Sequence, residues 1–530
     1  MKKKELRFNL ILMLILAAEI ALSMYFTYKY GMNNVDADNS SEMVLSRLLA
    51  DEGTFFSRNW FYSTELRVLN TQIVLSLLFR LTDNWLLVRT FGSGILMAIM
   101  VCAYLYMIRE TGLGRCGKAA ACVLVLPFCQ CYQQFALFGL YYIPHVTISF
   151  VTAGLFAGII KRHKGWQIKA VLAVALAAAA GLGGIRMLVV LYCPLVIAAF
   201  LLNYRMPACI QDIWRNIPAA VKTRAFVYSF ILAAASGIGF IINTAVLSDI
   251  FTFKSFNGTE FSDADIFGRS DAILNGLLQF FGYKAGRRVM GPGLVANMLA
   301  VAGIVIAVYV MWTLIKKAEL TSVYDRFIVL FFAADFCVNM FTFYFADMWE
   351  ANGNYLIPFM MWLIPVFVIY INYKGIMSAC GRVVAGLLAA MVVINSGMEY
   401  YEWKNTDINP GKEGIVKFLV NNGYERGYAD FWDANVFTEY SQGQLKMCNI
   451  RTFDESFAAL EWLMDKSYTE WNGDSKVFIV VDNAFSWENR DTLSYLDRRY
   501  MVASNNEYCV FAFDNDAQLA QIVERGKHRQ

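Results

Sequence analysis

The sequence predicts a polytopic α-helical membrane protein that ends in a smaller α/β domain. Three observations predict it. Hydrophobic residues make up 58% of the 530-residue chain and charged residues only 17%, against about 45–50% and about 25% in ordinary soluble domains. Apolar runs near the ~20 residues that cross a bilayer recur as far as residue 398. From residue 399 onward the polarity is that of a soluble domain. A net charge of +3 is too small to point to nucleic acid. An aromatic content of 15% suits interfacial belts and a cavity facing sugar or lipid.

Eleven spans are expected, near residues 8–27, 86–107, 119–136, 142–160, 168–183, 187–203, 225–247, 293–315, 327–345, 355–372 and 382–398. The first follows a basic start, MKKKELR, but no small-residue cleavage site ends its long apolar run, so it reads as an uncleaved span. Lysine and arginine favour the cytoplasmic side. Lys2, Lys3, Lys4 and Arg7 precede the first span, and Arg109, Arg115, Lys118, Lys161, Arg162, Lys164, Lys316, Lys317, Lys374 and Arg382 fall on alternate connections. The N-terminus is therefore expected inside. An odd number of spans then places the C-terminal region outside. The 248–291 loop breaks the pattern with Lys284, Arg287 and Arg288 on the outer side. An anionic headgroup or lipid phosphate would supply a reason.

Residues 1–398 thus form the membrane domain, with a first outer loop at 28–85, and residues 399–530 form an extracytoplasmic domain. In the latter, helical patterns lie at 412–422, 433–441 and 488–498, and strand patterns at 443–449, 476–482 and 508–513. Nine of the eleven cysteines precede residue 400 and read as small hydrophobes. Cys448 and Cys509, both in the outer domain, are candidates for a disulfide.

Candidate functional residues gather on the outer face. Asp36 and Asp38 stand one residue apart in VDADNSSEM, just after the first span. Asn39 can cap a helix starting at Ser40, with Glu42 completing a capping box. That accounts for one acid better than for two. In WFYSTELRVLN, an interfacial amphipathic helix is expected, with Trp60 as an aromatic anchor and Glu65 and Arg67 near a cavity. Tyr141, Tyr142 and His145 lie at one span end and Arg186 at another, between two short glycine-linked spans. Charges at membrane depth are usually paired and functional, and a guanidinium fork suits phosphate. Arg287, Arg288, Glu350 and Tyr355 complete the substrate-binding candidates, with Asp347 beside Glu350. A second acid pair, Asp263 and Asp265, reads as a turn.

An N-terminal span, an acid pair in the first outer loop, aromatic-rich amphipathic segments, many further spans and an outer α/β domain resemble the GT-C superfamily of membrane glycosyltransferases. Its members include protein mannosyltransferases, oligosaccharyltransferases, lipid A aminoarabinose transferases and the bacterial Rgt-like enzymes, to which the resemblance is nearest. DADNSSEM stands at the superfamily's acidic motif. GNYLIP, residues 353–358, resembles its Arg-Tyr-x-x-Pro segment, but Asn354 replaces the arginine. Arg186, Arg287 or Arg288 would have to substitute for it.

The resemblance implies transfer of a sugar from a polyprenyl-phosphate donor to a cell-envelope glycan, lipid or protein acceptor, in a bacterial membrane and with inversion. It assigns Asp36 as general base, with Asp38 as metal ligand or second carboxylate and the two roles exchangeable. Oxygen ligands would suit Mg²⁺ or Mn²⁺. The competing readings are a transporter or flippase of lipid-linked glycans, for which Asp335 and Asn339 are the principal polar groups within a span, and a non-catalytic glycan-binding membrane protein.

Overall fold

A computed structural model describes residues 2–204, 210–254, 266–316, 322–346, 353–451, 459–469, 475–483, 496 and 498–527. Each expected span has a helical counterpart, of one of three kinds. Among the described residues, seven single helices are long and apolar enough to cross a membrane: Lys3–Tyr30, Trp85–Thr111, Ile143–Ile160, Arg224–Asp249, Pro292–Lys316, Val323–Phe345 and Ala379–Asn405. Two more are bent pairs. Gly114–Val125 and Gln130–Phe138 meet at 78°, and Gly353–Met360 and Leu363–Lys374 meet at 48°.

Proline explains both bends. Pro127 falls in the first break. Pro365 lies four residues after Met361, where the second break begins. Its ring clashes with the carbonyl four positions earlier and it has no N–H to donate. The last two counterparts, Trp166–Leu182 and Leu188–Asn203, are short apolar helices. Seven to nine membrane crossings are thus supported by length and composition, where eleven were expected.

The loop between the first two long helices is ordered around a helix that is largely buried. Its helix, Ala37–Glu52, starts at Asp36 and not at Ser40 as expected. Asp36 is the capping residue and Asn39 is the third helical residue that answers it. Gly53, with φ of 68°, closes the helix in the left-handed conformation that glycine adopts without a side-chain penalty.

The expected interfacial helix at residues 60–70 is absent. Trp60–Tyr62 is instead a short strand, β1, and Trp60 is fully buried, so it cannot anchor in headgroups. β1 pairs in parallel with β2 (Thr252–Phe253) and antiparallel with a strand of the C-terminal region, Met464–Asp465. Three segments distant in sequence therefore share one small sheet. Three consecutive aromatic residues favour a strand, but three residues are too few for periodicity to decide.

The C-terminal region holds a mixed five-stranded sheet. In chain order its strands are β3 (Arg426–Asp430), β4 (Lys446–Ile450), β6 (Val477–Asp482), β7 (Met501–Ser504) and β8 (Tyr508–Phe513), with Met464–Asp465 as β5. The order across the sheet is β4-β3-β6-β8-β7, with β3 parallel to β4 and β6, and β8 antiparallel to both its neighbours. Along β6, Val477, Ile479 and Val481 pack on one face, while Phe478 and Val480 pack on the other. Both faces are covered, which is why VFIVVD reads as a continuous apolar run.

Helices Lys412–Asn421 and Phe431–Tyr440 match expectation. β3, β7 and the terminal helix Asp516–Lys527 were not foreseen. The helix expected at 488–498 falls almost wholly outside the described residues.

Cys448 and Cys509 do not form a disulfide; both are free. They lie on β4 and β8, with β3 and β6 between them. Three interstrand spacings amount to roughly 14 Å, and a disulfide tolerates Cα separations only up to about 7 Å.

Candidate active site

The site is assembled around the first turn of helix Ala37–Glu52. There the two acids part company. One carboxylate oxygen of Asp36 accepts the Asn39 amide at 2.8 Å and the other accepts Gln134 Nε2 at 2.6 Å. The Asn39 side chain returns the bond by accepting the Asp36 amide at 3.2 Å. Asp36 is therefore occupied as a helix cap.

Asp38 lies one residue into the helix and its carboxylate accepts no hydrogen bond among the described residues. Only its backbone carbonyl is engaged, by Ser41 Oγ at 2.7 Å and by the Tyr141 hydroxyl at 3.2 Å. Burial raises the Asp38 carboxyl to about 7, the negative charges of Asp36 and Glu42 add to the shift, and Arg67 opposes it. Burial also raises Asp36, against the bonds from Asn39 and Gln134.

Arg67 and Glu42 form a buried ion pair with side chains 8% and 3% exposed. Glu42 takes a further bond from Thr71 Oγ1 at 2.8 Å, and the Arg67 guanidinium lies over the Tyr141 ring, 5.1 Å from its centroid. Arg67 is thus neutralised and belongs to the wall of the site.

Arg186 is in a different state. It follows Gly184, whose φ of 93° turns the chain between the two short helices. A β-carbon at Gly184 would come within 3.0 Å of Glu65 Oε2, so only glycine lets the Glu65 carboxylate approach this turn. Arg186 makes no ion pair among the described residues. Its guanidinium stands 5.7 Å from the Tyr142 ring centroid and 5.9 Å from that of Tyr355. Glu65 acts on it electrostatically, and burial raises the Glu65 carboxyl against the pull of Arg186 and Arg67. Arg186 and Asp38 both act electrostatically on the Tyr142 hydroxyl. His145 lies beside them, its ring 5.8 Å from that of Tyr142 and its Nδ1 3.2 Å from the Tyr141 carbonyl oxygen.

The structure therefore gathers Asp36, Asp38, Glu65, His145, Arg186 and Tyr355 into one neighbourhood. Tyr355 follows Asn354, the position where the resemblance expects an arginine, and it is Arg186 that faces Tyr355.

Arg287 does not join this group. Its Nη2 meets Glu399 at 2.8 Å, its Nε meets Glu402 at 3.0 Å, and Lys284 meets Glu402 at 2.7 Å. These acids on helix Ala379–Asn405 account for Lys284 and Arg287 of the 248–291 loop without an external anion. Arg288 is exposed and makes no ion pair among the described residues. Glu350, Asp347, Asp263 and Asp265 lie outside the described residues.

Sequence reasoning missed two participants. Gln134 carries no signal of its role. Arg89, a charge inside the otherwise apolar Trp85–Thr111 helix, is the kind of residue that membrane-depth reasoning flags.

For a divalent ion, the donor set is thin. Asp36 and Glu42 are committed to protein partners, and among the described residues no group of three His, Cys, Asp or Glu side chains is placed to hold a metal. Asp38 and Glu65 are the site carboxylates that accept no hydrogen bond among the described residues, and two acids alone do not make a metal cage. Asp335 and Asn339, the groups a transport path would need, bond to each other within one helix, Asn339 Nδ2 to Asp335 Oδ1 at 2.7 Å.

No family model matches the sequence, and no curated protein matches it. Among solved structures, the chain is similar to the Archaeoglobus fulgidus oligosaccharyltransferase in complex with zinc and sulfate, with 12% identity and a TM-score of 0.47 over 91% of this chain and 70% of that one. It is also similar to ArnT from Cupriavidus metallidurans in the apo state, with 14% identity and a TM-score of 0.38 over 94% of this chain and 97% of that one.

Proposed function

We propose that the protein is a membrane glycosyltransferase that moves a sugar from a polyprenyl-phosphate donor to a cell-envelope acceptor at the outer face, inverting the anomeric carbon, with Asp38 as general base. The observation that carries the reading is an Asp38 carboxylate that accepts no hydrogen bond, on a turn whose carbonyl is held by Tyr141, near an Arg186 guanidinium that makes no ion pair among the described residues and stands 5.7 Å from the ring of the adjacent Tyr142.

In the proposed displacement, the acceptor hydroxyl attacks the anomeric carbon and gives its proton to Asp38. The bond from that carbon to the phosphate oxygen breaks and its electron pair leaves with the lipid phosphate. A base whose carboxyl titrates at about 7 is half ionised at neutral pH and holds the proton it receives. Arg186 faces the charge that develops on the leaving phosphate, where a positioned cation acts most strongly. One displacement inverts the centre.

Asp38 thereby takes the role that the resemblance assigns to Asp36, which is spent on the cap. No step here runs through a metal ion. The outer location of this face rests on the lysine and arginine pattern. It also fits a C-terminal domain that packs on the first loop.

The test is transfer from a synthetic polyprenyl-phosphate sugar in proteoliposomes. Asp38→Asn should lower turnover by about 10²–10⁴-fold, the range of a lost general base. Asp36→Asn should cost less than about tenfold, because asparagine caps helices nearly as well as aspartate. Full activity of Asp38→Asn would refute the assignment. A cysteine introduced near Asp36 should also react with an impermeant thiol reagent added from outside.

A further inference from the structure

The cap that fixes Asp36, and with it the turn carrying Asp38, is held by the C-terminal domain. Arg89 and Glu439 form a two-pronged ion pair, Nε to Oε1 at 2.8 Å and Nη2 to Oε2 at 2.6 Å, with both side chains 1% exposed. The same Arg89 Nη2 donates to the Asn39 carbonyl at 3.0 Å, and the guanidinium lies over the Phe138 ring, 4.8 Å from its centroid. Glu439 belongs to helix Phe431–Tyr440, far along the chain.

The segment entering the first-loop helix is tied to the same domain by independent bonds. Asn409 Nδ2 donates to the Val35 carbonyl at 2.8 Å, and the Tyr440 hydroxyl donates to the Met32 carbonyl at 2.7 Å. A desolvated charge pair costs more to bury than it returns unless its remaining hydrogen bonds are satisfied. Here the spare donor is spent on one backbone carbonyl, that of the residue that completes the Asp36 cap.

We propose that Arg89 and Glu439 are positioning residues: through them the C-terminal domain sets the backbone turn that presents Asp38. This rests on the glycosyl-transfer reading above for its kinetic consequence, but not for its structural one. A domain that served only to bind acceptor would affect KM and leave the turn alone. A domain that sets the turn governs kcat.

Two variants test it in the full-length protein. Arg89→Lys keeps the charge but not the fork, since one ammonium cannot bridge both Glu439 oxygens and reach Asn39. The exchange Arg89→Glu with Glu439→Arg keeps the ion pair and the domain docking, but places a carboxylate against the Asn39 carbonyl. If Arg89→Lys fails to fold, the exchanged pair carries the test.

The expected result is a kcat lowered at least tenfold with acceptor and donor KM each within twofold, together with faster hydrogen exchange at the amides of Asn39 and Ser40, which bond to Asp36. Wild-type kcat, or wild-type exchange at those amides in a folded variant, would overturn the proposal. Faster exchange in a protein whose wild type transfers no sugar would support the tether and remove the glycosyl-transfer reading.

Discussion

Two clusters of charge contrast on this protein. Around helix Ala379–Asn405, Arg287 and Lys284 are matched by Glu399 and Glu402, with every contact between 2.7 and 3.0 Å. Around the first-loop helix, Arg67 is matched by Glu42, but Asp38 and Arg186 have no ion-pair partner among the described residues. Both clusters look alike in the sequence, as arginines and acids beside apolar runs. A matched buried pair is a structural joint that costs several kcal/mol to break and offers no open valence to a substrate. Unmatched groups of opposite sign keep charges that a molecule bringing its own could neutralise.

The contrast can be broken most decisively by removing one cation from each cluster. Arg186→Gln should lower kcat for transfer by about 10²–10³-fold, as loss of a donor to developing charge does, and leave the melting midpoint nearly unchanged. Arg287→Gln should do the reverse. It should destabilise the fold by about 3–5 kcal/mol, as removal of one partner from a buried pair does, while the folded fraction turns over within about threefold of wild type. Thermal unfolding in detergent alongside the transfer assay separates the two outcomes. Equal kinetic losses would erase the distinction.

A smaller effect comes with pH. The Asp38 carboxyl is raised from 3.8 to about 7, so transfer at saturating donor should climb through that pH and level off above it. Stability moves the other way. A group raised in the folded state contributes fully below its unfolded pKa, and that contribution is lost as pH rises through the folded value. Asp38→Asn should therefore match wild-type stability near pH 3.8 and exceed it increasingly up to about pH 7, as read by denaturation across pH. The smallest effect concerns the cysteines: with Cys448 and Cys509 both free, reducing agent should not move the melting midpoint.

The helices and their approximate ends were legible in the sequence because a soluble core seldom demands an apolar run of membrane length. Pro127 and Pro365 stand in the same sequence, but hydropathy averages across a kink and so hides the bends they cause. The C-terminal strands Val477–Asp482 and Tyr508–Phe513 announced themselves as apolar runs. Arg426–Asp430, written RGYAD, did not, since it carries a glycine and two charges.

In the site, proximity in sequence brought Asp36 and Asp38 to notice, but one residue of spacing cannot tell a cap from a free acid. That depends on Gln134, about a hundred residues away, and on where helix Ala37–Glu52 begins. Arg287 and Arg186 both stood as candidates for a phosphate, and the acids of a distant helix claim Arg287.

The small sheet joining Trp60–Tyr62, Thr252–Phe253 and Met464–Asp465 has a consequence for how the molecule is made. Its three strands leave the ribosome one after another, with long stretches of chain between them. Helices can enter the bilayer one by one as they emerge, but the first loop has no finished edge to rest on until residue 465 arrives. A nascent chain threaded through the membrane would therefore carry Asp36 and Asp38 well before the sheet that seats their loop is complete.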